Sequence, residues 1–270
     1  MSFPRILVTG ITGYITDVDI KNTQLFGLVR SEAQANALKS KVIIDSAASL
    51  DPEAARALVL GLADRKNGTG KQTYFIHTSG TSNLSDRPIS GQYLEPVPRF
   101  FSDKDDIYSY EKEREAKEEY DQRTTDMAII DTANEVGVKT YIIVAPTIFG
   151  TGTGHFNKFS IQIPVITRQA IKSGQAEVIG EGKGEWDHVH IADLVLLYEL
   201  ILAKVLKGED LPCLQRGIYF AETGRHTWFE LSQGVAAAGL HLGALKTDKV
   251  KSVTLEEAAR WFGVLGRGVI

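Results

Sequence analysis

Near its start the chain reads Val8-Thr9-Gly10-Ile11-Thr12-Gly13-Tyr14-Ile15, directly after the apolar residues of a strand predicted over 5–9. A first glycine at the end of such a strand permits a tight turn into a helix, and a second lets the backbone approach a pyrophosphate. The N-terminus of the helix then offers N–H donors to the phosphates. Gly10 and Gly13 suit these two roles, whereas Thr16 stands where a third glycine is usual. The stretch predicts a dinucleotide-binding βα turn, with an ordinary glycine turn as the alternative.

The rest of the chain alternates short apolar runs with helical patterns. Strands are predicted over 5–9, 25–29, 42–44, 73–77, 139–145, 176–179 and 217–221, and helices over 32–39, 54–62, 111–136, 164–172, 194–206 and 227–238. Such alternation is typical of a parallel sheet covered by helices on both faces. The predicted fold is α/β, a Rossmann-type doubly wound parallel sheet with a small C-terminal α/β substrate-binding region. In this interpretation residues 1–150 form the dinucleotide-binding domain, and residues 151–270 form the smaller region, interleaved with the Rossmann sheet.

Composition and charge exclude several classes of function. The chain has 270 residues, is 43% hydrophobic and 24% charged, and carries a formal net charge of −4. This charge gives no general attraction to nucleic acid or anionic membranes, and the apolar stretches are too short for a membrane span. Cys213 is alone, so neither a disulfide framework nor a cysteine zinc site is expected. Because the N-terminus shows no signal-peptide pattern, a cytoplasmic protein without nucleic-acid or membrane partners is expected.

The end of the second predicted strand normally meets the adenosine ribose of a dinucleotide. An acidic residue there favours NAD, while an arginine can accept the 2′-phosphate of NADP. This chain has Arg30 at that place, followed by Ser31 and Glu32. The sequence therefore favours NADP over NAD as cofactor, with a solvated surface arginine as the alternative interpretation.

Several blocks of the sequence, taken together, resemble a known family. They are Val8-Thr9-Gly10-Ile11-Thr12-Gly13-Tyr14-Ile15, Leu28-Val29-Arg30-Ser31, Phe75-Ile76-His77-Thr78-Ser79-Gly80-Thr81, Pro146-Thr147-Ile148-Phe149-Gly150, Gly180-Glu181-Gly182 and Trp186-Asp187-His188-Val189-His190-Ile191-Ala192-Asp193-Leu194. In this order they resemble the extended short-chain dehydrogenases/reductases, the NAD-dependent epimerase/dehydratase family. The nearest subgroup is the set of atypical, NmrA-like fungal members.

The resemblance implies an NAD(P)-dependent oxidoreductase or epimerase-type enzyme that acts on a small hydroxy or carbonyl compound in secondary metabolism. Ser79 or Thr81 would hydrogen-bond the substrate oxygen, and Trp186 and His188 would lie on the substrate side. The resemblance also implies that the helical region 111–136 pairs with a copy of itself in a homodimer. Cofactor contacts are expected from Gly10, Thr12, Gly13, Tyr14, Ile15, Arg30, Ala47, Pro146, Thr147 and Ile148.

One departure from the family is a shortage of chain. Only nine residues, 16–24, separate the glycine turn from the second strand, although a parallel crossover usually needs a dozen or more. In addition, residues 42–48 resemble the family's fourth strand and its small-residue loop rather than its third strand. The chain is therefore interpreted as lacking one βα unit. The alternative is that 42–44 is the third strand of an ordinary sheet.

The second departure concerns catalysis. The family carries a tyrosine that moves a proton and a lysine four residues later that assists it. The expected site falls at Tyr120, but Thr124 stands at the lysine position, and Arg123 is the nearby cation. Tyr108 and Lys112 have the right spacing, but they lie about three helical turns too early. Tyr120 is the candidate proton donor, and a solvated helix face with incidental tyrosines is the alternative.

Three functional hypotheses remain open from the sequence. The first is the NAD(P)-dependent enzyme. The second is a non-catalytic NAD(P)-binding regulator that senses redox state, which the missing lysine favours. The third is a chain that binds no dinucleotide, because its first helix is too short to form the phosphate site.

Other residues receive structural interpretations. His188 and His190 could share a face and bind a metal, but no third ligand is evident, so no metal site is expected. The charged stretch 111–119 predicts a solvated helix with i,i+4 ion pairs. Trp228 and Trp261 are expected in the core, whereas Trp186 is expected at a substrate pocket, because an indole offers both apolar area and a hydrogen-bond donor.

Overall fold

The computed structural model describes residues 5–9, 24–27, 41–47, 49–87, 89–91, 93–97, 99–154 and 157–261. The strands are β1 (Arg5–Thr9), β2 (Gln24–Gly27), β3 (Val42–Asp45), β4 (Tyr74–Gly80), β5 (Lys139–Ala145), β6 (Thr147–Phe149), β7 (Ala176–Ile179), β8 (Glu185–His190), β9 (Ile218–Phe220), β10 (Gly224–Thr227) and β11 (Val250–Val253). The helices are α1 (Pro52–Thr69), α2 (Ile107–Glu115), α3 (Asp121–Val136), α4 (Gln162–Ser173), α5 (Ile191–Lys207), α6 (Trp228–His241) and α7 (Leu255–Ala258). Single 3₁₀ turns cover Thr81–Asn83 and Leu214–Arg216.

Six of these strands form a parallel sheet, here called the main sheet, in the order β2-β1-β3-β4-β5-β9. Strands β1, β3, β4 and β5 read as nearly continuous apolar runs because helices cover both faces of the sheet. Ile6, Ile76 and Ile143 pack on one face in the same core cluster as residues of α5. Leu7 and Phe75 point to the other face and pack with residues of α1 and α3. The predicted Rossmann-type α/β fold is confirmed.

The position of β3 bears on the two interpretations of residues 42–48. Strand β3 pairs with β1 on the side opposite β2. That place belongs to the fourth strand in the doubly wound order 3-2-1-4-5-6 and to the third strand in the order 2-1-3-4-5. Both interpretations agree with the observed order and stay predictions. Within the described ranges, no strand lies outside β2.

The helical region predicted over 111–136 is interrupted in the structure. It consists of α2 and α3, separated by residues 116–120. Tyr120 adopts an extended conformation as the N-cap of α3, and its backbone N–H donates to the carboxylate of Glu115 at 3.1 and 3.2 Å. A new helix starts at this point, which the charge pattern of the sequence did not reveal.

Two smaller sheets follow the main sheet. The second sheet has the order β10-β8-β6, with β8 antiparallel to β10 and parallel to β6. A two-stranded parallel sheet, β11-β7, packs with α4 and α6 around Ala170, Ala176 and Ala236. The proposed boundary at 150/151 stays a prediction, although β9 shows that later residues complete the main sheet.

The glycine turn and the ribose-side arginine cannot be evaluated structurally. The predicted contacts that lie outside the described residues are Gly10, Thr12, Gly13, Tyr14, Ile15 and Arg30. Among the helices that the structure describes, none is long and apolar enough to cross a membrane.

Candidate active site at the carboxyl edge of the main sheet

Three neighbouring strands place buried polar residues side by side. Thr9, Asp45 and His77 are paired in register across β1, β3 and β4. The Thr9 hydroxyl donates to Asp45 Oδ1 at 2.5 Å, and His77 Nδ1 lies 2.9 Å from Asp45 Oδ2. Burial acts to raise the pKa of Asp45, but His77, the Thr9 hydroxyl and the Ala47 backbone N–H together lower it below its ordinary value. Asp45 is therefore the ionised member of this group.

A second buried cluster lies at the end of β4, against α2 and α3. The Ser79 hydroxyl donates to Asp126 Oδ2 at 2.5 Å. The side-chain amide of Asn83 donates to the same oxygen at 2.7 Å and to Glu111 Oε1 at 3.1 Å. All four residues are 4% exposed or less. Two carboxyl groups thus share one amide donor in a site without solvent.

Burial makes these two carboxyl groups unusually weak acids. It raises the pKa of Asp126 well above its ordinary value, and the nearby Glu111 carboxyl raises it further. Burial raises the pKa of Glu111 to about 7, although the Asn83 amide and the charge of Arg123 oppose that shift. Asp126 is therefore hard to ionise, and Glu111, with a pKa of about 7, titrates near neutral pH.

His77 connects the two clusters. Its Nε2 atom lies 3.7 Å from Asp126 Oδ1. Both atoms are buried, and neither has a hydrogen-bond partner among the described residues. The order Asp45, His77, Asp126, Asn83, Glu111 is thus a row of polar groups with a single gap. Of these residues, only Glu111 was considered in the sequence, as part of a solvated helix. Among the others, Asp45 offered a local signal, because it is a polar residue at the end of an apolar strand.

The two predicted substrate-binding hydroxyls differ in their availability. Ser79 is 4% exposed and donates its proton to Asp126. Thr81 is half-buried, and its hydroxyl is a buried group without a partner in the described part of the chain. Of the pair, Thr81 has the hydroxyl that can still bond a ligand.

Tyr120 lies at the break between α2 and α3. Its ring is half-buried, with the guanidinium carbons of Arg87 and Arg123 at 5.1 and 5.5 Å from the ring centre. Thr124, at the lysine position, donates its hydroxyl proton to Glu115. The positive charge near this tyrosine therefore comes from arginines and not from a lysine one helical turn away.

Arg123 is a structural residue as well as a neighbour of Tyr120. It is fully buried, and it donates to Glu115 Oε2 at 2.9 Å, to the Asn83 carbonyl at 2.7 Å and to the Glu118 carbonyl at 2.5 Å. The prediction of a solvated, charged helix over 111–119 is wrong in part, because Glu111 and Arg114 are also buried. The predicted i,i+4 pairing is present between Arg114 and Glu118, at 3.1 Å. The bonds from Asn83 to Glu111 and from Arg114 to the Ser85 carbonyl are ones that local helical spacing cannot indicate.

The alternative tyrosine–lysine pair, Tyr108 and Lys112, forms hydrogen bonds at the contact between α2 and α3. Tyr108 donates its hydroxyl proton to Asp131, and Lys112 Nζ donates to that hydroxyl at 3.2 Å. Gln122, near the start of α3, contacts the end of β4 at Gly80. Asp131 lies about 13 Å further along the same helix. This pair is an exposed link between α2 and α3, away from the sheet edge.

Gln122 connects two loops at the sheet edge. Its Oε1 accepts a hydrogen bond from the Ser82 hydroxyl, and its Nε2 donates to the Ser49 hydroxyl, each at 2.7 Å. A side chain at Gly80 would place its Cβ 3.0 Å from Gln122 Oε1, so the glycine gives the glutamine room. Sequence reasoning did not single out this residue.

The remaining predicted cofactor residues lie in two loops. Ala47 is exposed beyond the end of β3, and its backbone N–H is hydrogen-bonded to Asp45. Pro146 and Thr147 are buried and Ile148 is half-buried where the chain passes from β5 into β6. The Thr147 hydroxyl is buried without a partner among the described residues. This loop joins the sheet edge to the second sheet.

Trp186 and His188 lie on β8 in the second sheet, and both are half-buried. The Trp186 ring lies 5.9 Å from that of Trp228, so Trp228 lines the same surface and is not a core residue. Trp261 is half-buried as well. In the described ranges no three His, Cys, Asp or Glu side chains come together as metal ligands.

Comparisons with known proteins agree with the fold. Residues 103–212 match the model of the NAD dependent epimerase/dehydratase family. The chain is 26% identical over 241 residues to "Oxidase ucsJ" from Acremonium sp, covering 84% of this chain and 66% of that protein. The chain therefore spans slightly less than two thirds of the length of this relative.

Solved structures share the fold at low sequence identity. UDP-glucose 4-epimerase from Thermotoga maritima aligns with a TM-score of 0.53 and 17% identity, over 93% of this chain and 85% of that one. dTDP-glucose 4,6-dehydratase from Bacillus anthracis, in complex with NAD, aligns with a TM-score of 0.58 and 14% identity, over 93% and 84% of the two chains. UDP-glucose 4-epimerase from Thermus thermophilus, also with NAD, aligns with a TM-score of 0.54 and 15% identity, over 92% and 85%.

These findings confirm the family resemblance drawn from the sequence: residues 103–212 match the NAD dependent epimerase/dehydratase family, and the whole described chain has the Rossmann-type α/β fold of solved epimerases and dehydratases.

Proposed function

We propose that this chain is an NAD(P)-dependent oxidoreductase of the short-chain dehydrogenase type, acting on a small hydroxy or carbonyl compound. The main support is the gathering of polar groups at one edge. Asp45 ends β3, and Thr81 and Thr147 lie just beyond the carboxyl ends of β4 and β5. Open α/β sheets bind their ligands at this edge. A role in secondary metabolism and a cytoplasmic location rest on the sequence alone and stay predictions.

The edge residues fit a dinucleotide in two respects. The hydroxyls of Thr81 and Thr147 are buried and lack partners in the part of the chain described, so a ligand with hydrogen-bonding groups can satisfy them. Ala47 is small and exposed at the end of β3, where a bulky side chain would obstruct a ligand. When bound, the cofactor would give or take a hydride at its nicotinamide ring. Arg30 favours NADP, whereas two of the similar structures are described with NAD.

The chain's own residues would bind and protonate the substrate. The Thr81 hydroxyl would bond the substrate oxygen, and the Tyr120 hydroxyl would supply the proton to that oxygen or remove it. Ser79 would stabilise the end of β4 and would not bind the substrate, because its hydroxyl already donates to Asp126. Arg87 and Arg123 would provide the positive charge beside Tyr120 that the family obtains from lysine.

We expect NADPH to raise the melting temperature of the protein more than NADH does. A ligand at 100 times its Kd stabilises the folded state by about 2.7 kcal/mol, which corresponds to roughly 5 to 10 °C in a chain of this size. Differential scanning fluorimetry measures the shift. Arg30→Ser is the matched control, and it should reduce the NADPH shift while leaving that of NADH. The absence of a shift with either cofactor at millimolar concentration would exclude the enzyme and the regulator alike, and leave the chain that binds no dinucleotide.

We expect Tyr120→Phe to lower kcat for hydride transfer by about 10² to 10⁴-fold, the usual contribution of a positioned acid or base. Turnover with a panel of aldehydes and ketones is followed by NADPH absorbance. Tyr108→Phe, which removes the exposed hydroxyl between α2 and α3, should leave kcat unchanged. Equal turnover in Tyr120→Phe and the unmodified protein would show that the proton comes from another group.

A second candidate function is a non-catalytic NAD(P)-binding regulator that senses redox state. It is favoured by Thr124 at the lysine position and by the structural role of Arg123. Cofactor binding without turnover of any compound in the panel would favour the regulator. The homodimer expected from the family stays a prediction that light scattering can test.

A further inference from the structure

The second sheet has one face that packs on the core and one that does not. Ile148 and Val189 lie side by side on β6 and β8 and pack in the core cluster that contains α5. The alternate residues of the three strands point to the opposite face, here called the aromatic face. It is formed by Thr147, Phe149, Trp186, His188, His190, Gly224 and His226, with Trp228 just beyond β10.

The rings of the aromatic face form a continuous row. Phe149 lies 5.5 Å from His188, and His188 lies 5.1 Å from His226, measured between ring centres. His226 lies 5.7 Å from Trp228, which in turn lies 5.9 Å from Trp186. Each of these rings is half-buried. A row of partly exposed rings offers a planar ligand apolar area and stacking contacts.

Two glycines leave room for imidazole rings of the aromatic face, because they have no Cβ. A Cβ at Gly224 would lie 2.6 Å from His188 Nε2, and a Cβ at Gly150 would lie 2.3 Å from His190 Nε2. Gly150 also has a φ of +99°, which side chains rarely adopt. The rings therefore lie close over the backbone, and their orientation is fixed by the local chain.

Three polar atoms on this face are buried and lack a partner within the described ranges. They are Trp186 Nε1, His226 Nε2 and Thr147 Oγ1. A buried polar group without a partner destabilises the folded state, so such groups indicate a place where a ligand or water completes the hydrogen bonds. Trp186 can only donate, and it therefore requires an oxygen or another acceptor.

The charge of the aromatic face is low. His188 Nδ1 and His226 Nδ1 lie 2.9 Å apart, so one ring donates and the other must be unprotonated at that atom. Burial, and then the nearby His188, lower the pKa of His226. Arg225 points to the other face, where it is paired with Asp187 and Glu185. The face thus lacks the cluster of cations that a diphosphate requires.

We propose that the aromatic face binds an uncharged, planar aromatic substrate that carries a hydroxyl or carbonyl oxygen. This inference rests on the proposed oxidoreductase function and names its substrate class. Trp186 Nε1 would donate to the substrate oxygen, and the rings would stack on its plane. Thr147 follows the last residue of β5 by only two positions, so the face begins within about 7 Å of the sheet edge. A nucleotide sugar is the competing occupant.

The test uses the full chain without cofactor and 2-naphthol as the probe, observed by saturation-transfer NMR and titrated to a Kd. We expect saturation of the naphthol ring protons and no displacement by equimolar UDP-glucose. Trp186→Phe keeps most of the ring area and removes the N–H, so it should weaken binding about five-fold, the equivalent of one ordinary hydrogen bond. Trp261→Phe is the matched control, and it should bind 2-naphthol as the unmodified chain does.

Each other outcome has a defined meaning. Displacement of 2-naphthol by UDP-glucose, the absence of saturation, or equal losses in the Trp186 and Trp261 variants would overturn the proposal. Circular dichroism of both variants establishes that they are folded. If 2-naphthol binds as expected while neither NADPH nor NADH shifts the melting temperature, the oxidoreductase function fails and the binding face stands.

Discussion

Replacing Arg123 with methionine is expected to lower the free energy of unfolding by about 3 to 5 kcal/mol, the usual result of removing one member of a buried ion pair. Arg123 is fully buried between α2, α3 and the loop after β4, where it bonds the Glu115 carboxylate and two backbone carbonyls. Methionine would fill much of the volume but leave these acceptors without donors. Urea denaturation followed by circular dichroism measures the change.

The matched control is Arg225→Met. Arg225 is also paired with a carboxylate, Asp187, but its side chain is 44% exposed. Exposed pairs contribute about 0 to 1 kcal/mol, because water solvates both charges and the side chains lose freedom. Similar losses of unfolding free energy in the two variants would show that burial does not determine how much the Arg123 network stabilises the fold.

Replacing Glu111 with glutamine is expected to make the protein more stable than the unmodified chain above neutral pH. Because burial raises the pKa of Glu111 to about 7 in the folded state, the unfolded chain loses this proton first as the pH rises. The folded state therefore loses stability between about pH 4.5 and 7, by about 3 kcal/mol once Glu111 is ionised. Glutamine keeps an oxygen for the Asn83 amide and removes this loss.

The measurement is the free energy of unfolding between pH 5 and 8 for both proteins. The difference between them isolates Glu111 from His226, whose lowered pKa gives a contribution of opposite sign. Asp126 has a raised pKa and contributes in the same direction as Glu111, so a residual slope stays in the variant. Glu113→Gln, on the exposed side of α2, is the control. A difference that does not change with pH would mean that Glu111 is ionised in the folded protein throughout this range.

The predictions for Arg123 and Glu111 concern the same buried polar cluster, which packs behind the candidate active site. Asp126, whose pKa is raised by burial, accepts from Ser79 at the end of β4. Arg123 fixes the Asn83 carbonyl, and the side chain of Asn83 joins Asp126 to Glu111. Replacing Arg123 or Glu111 therefore tests how much this cluster stabilises the sheet edge beside Thr81 and Tyr120.

Strand β3 could be predicted because an apolar run followed by small residues is a local feature of sequence. Its parallel pairing then followed from the fold class. The interruption between α2 and α3 could not be predicted in the same way. At the break the Tyr120 backbone N–H donates to the Glu115 carboxylate, while the surrounding residues have ordinary helix-forming character.

The sequence by itself determined the Rossmann-type fold, because alternating apolar strands and helices specify a covered parallel sheet wherever they occur. It also located Thr81, Tyr120 and Trp186 as candidates, through motifs that are contiguous along the chain. Only the tertiary structure decided which polar residues are buried together. The contacts of Asp45 with His77 and of Ser79 with Asp126 join positions 32 and 47 residues apart. Their protonation is set by desolvation and neighbouring charge, which arise only when the helices pack on the sheet.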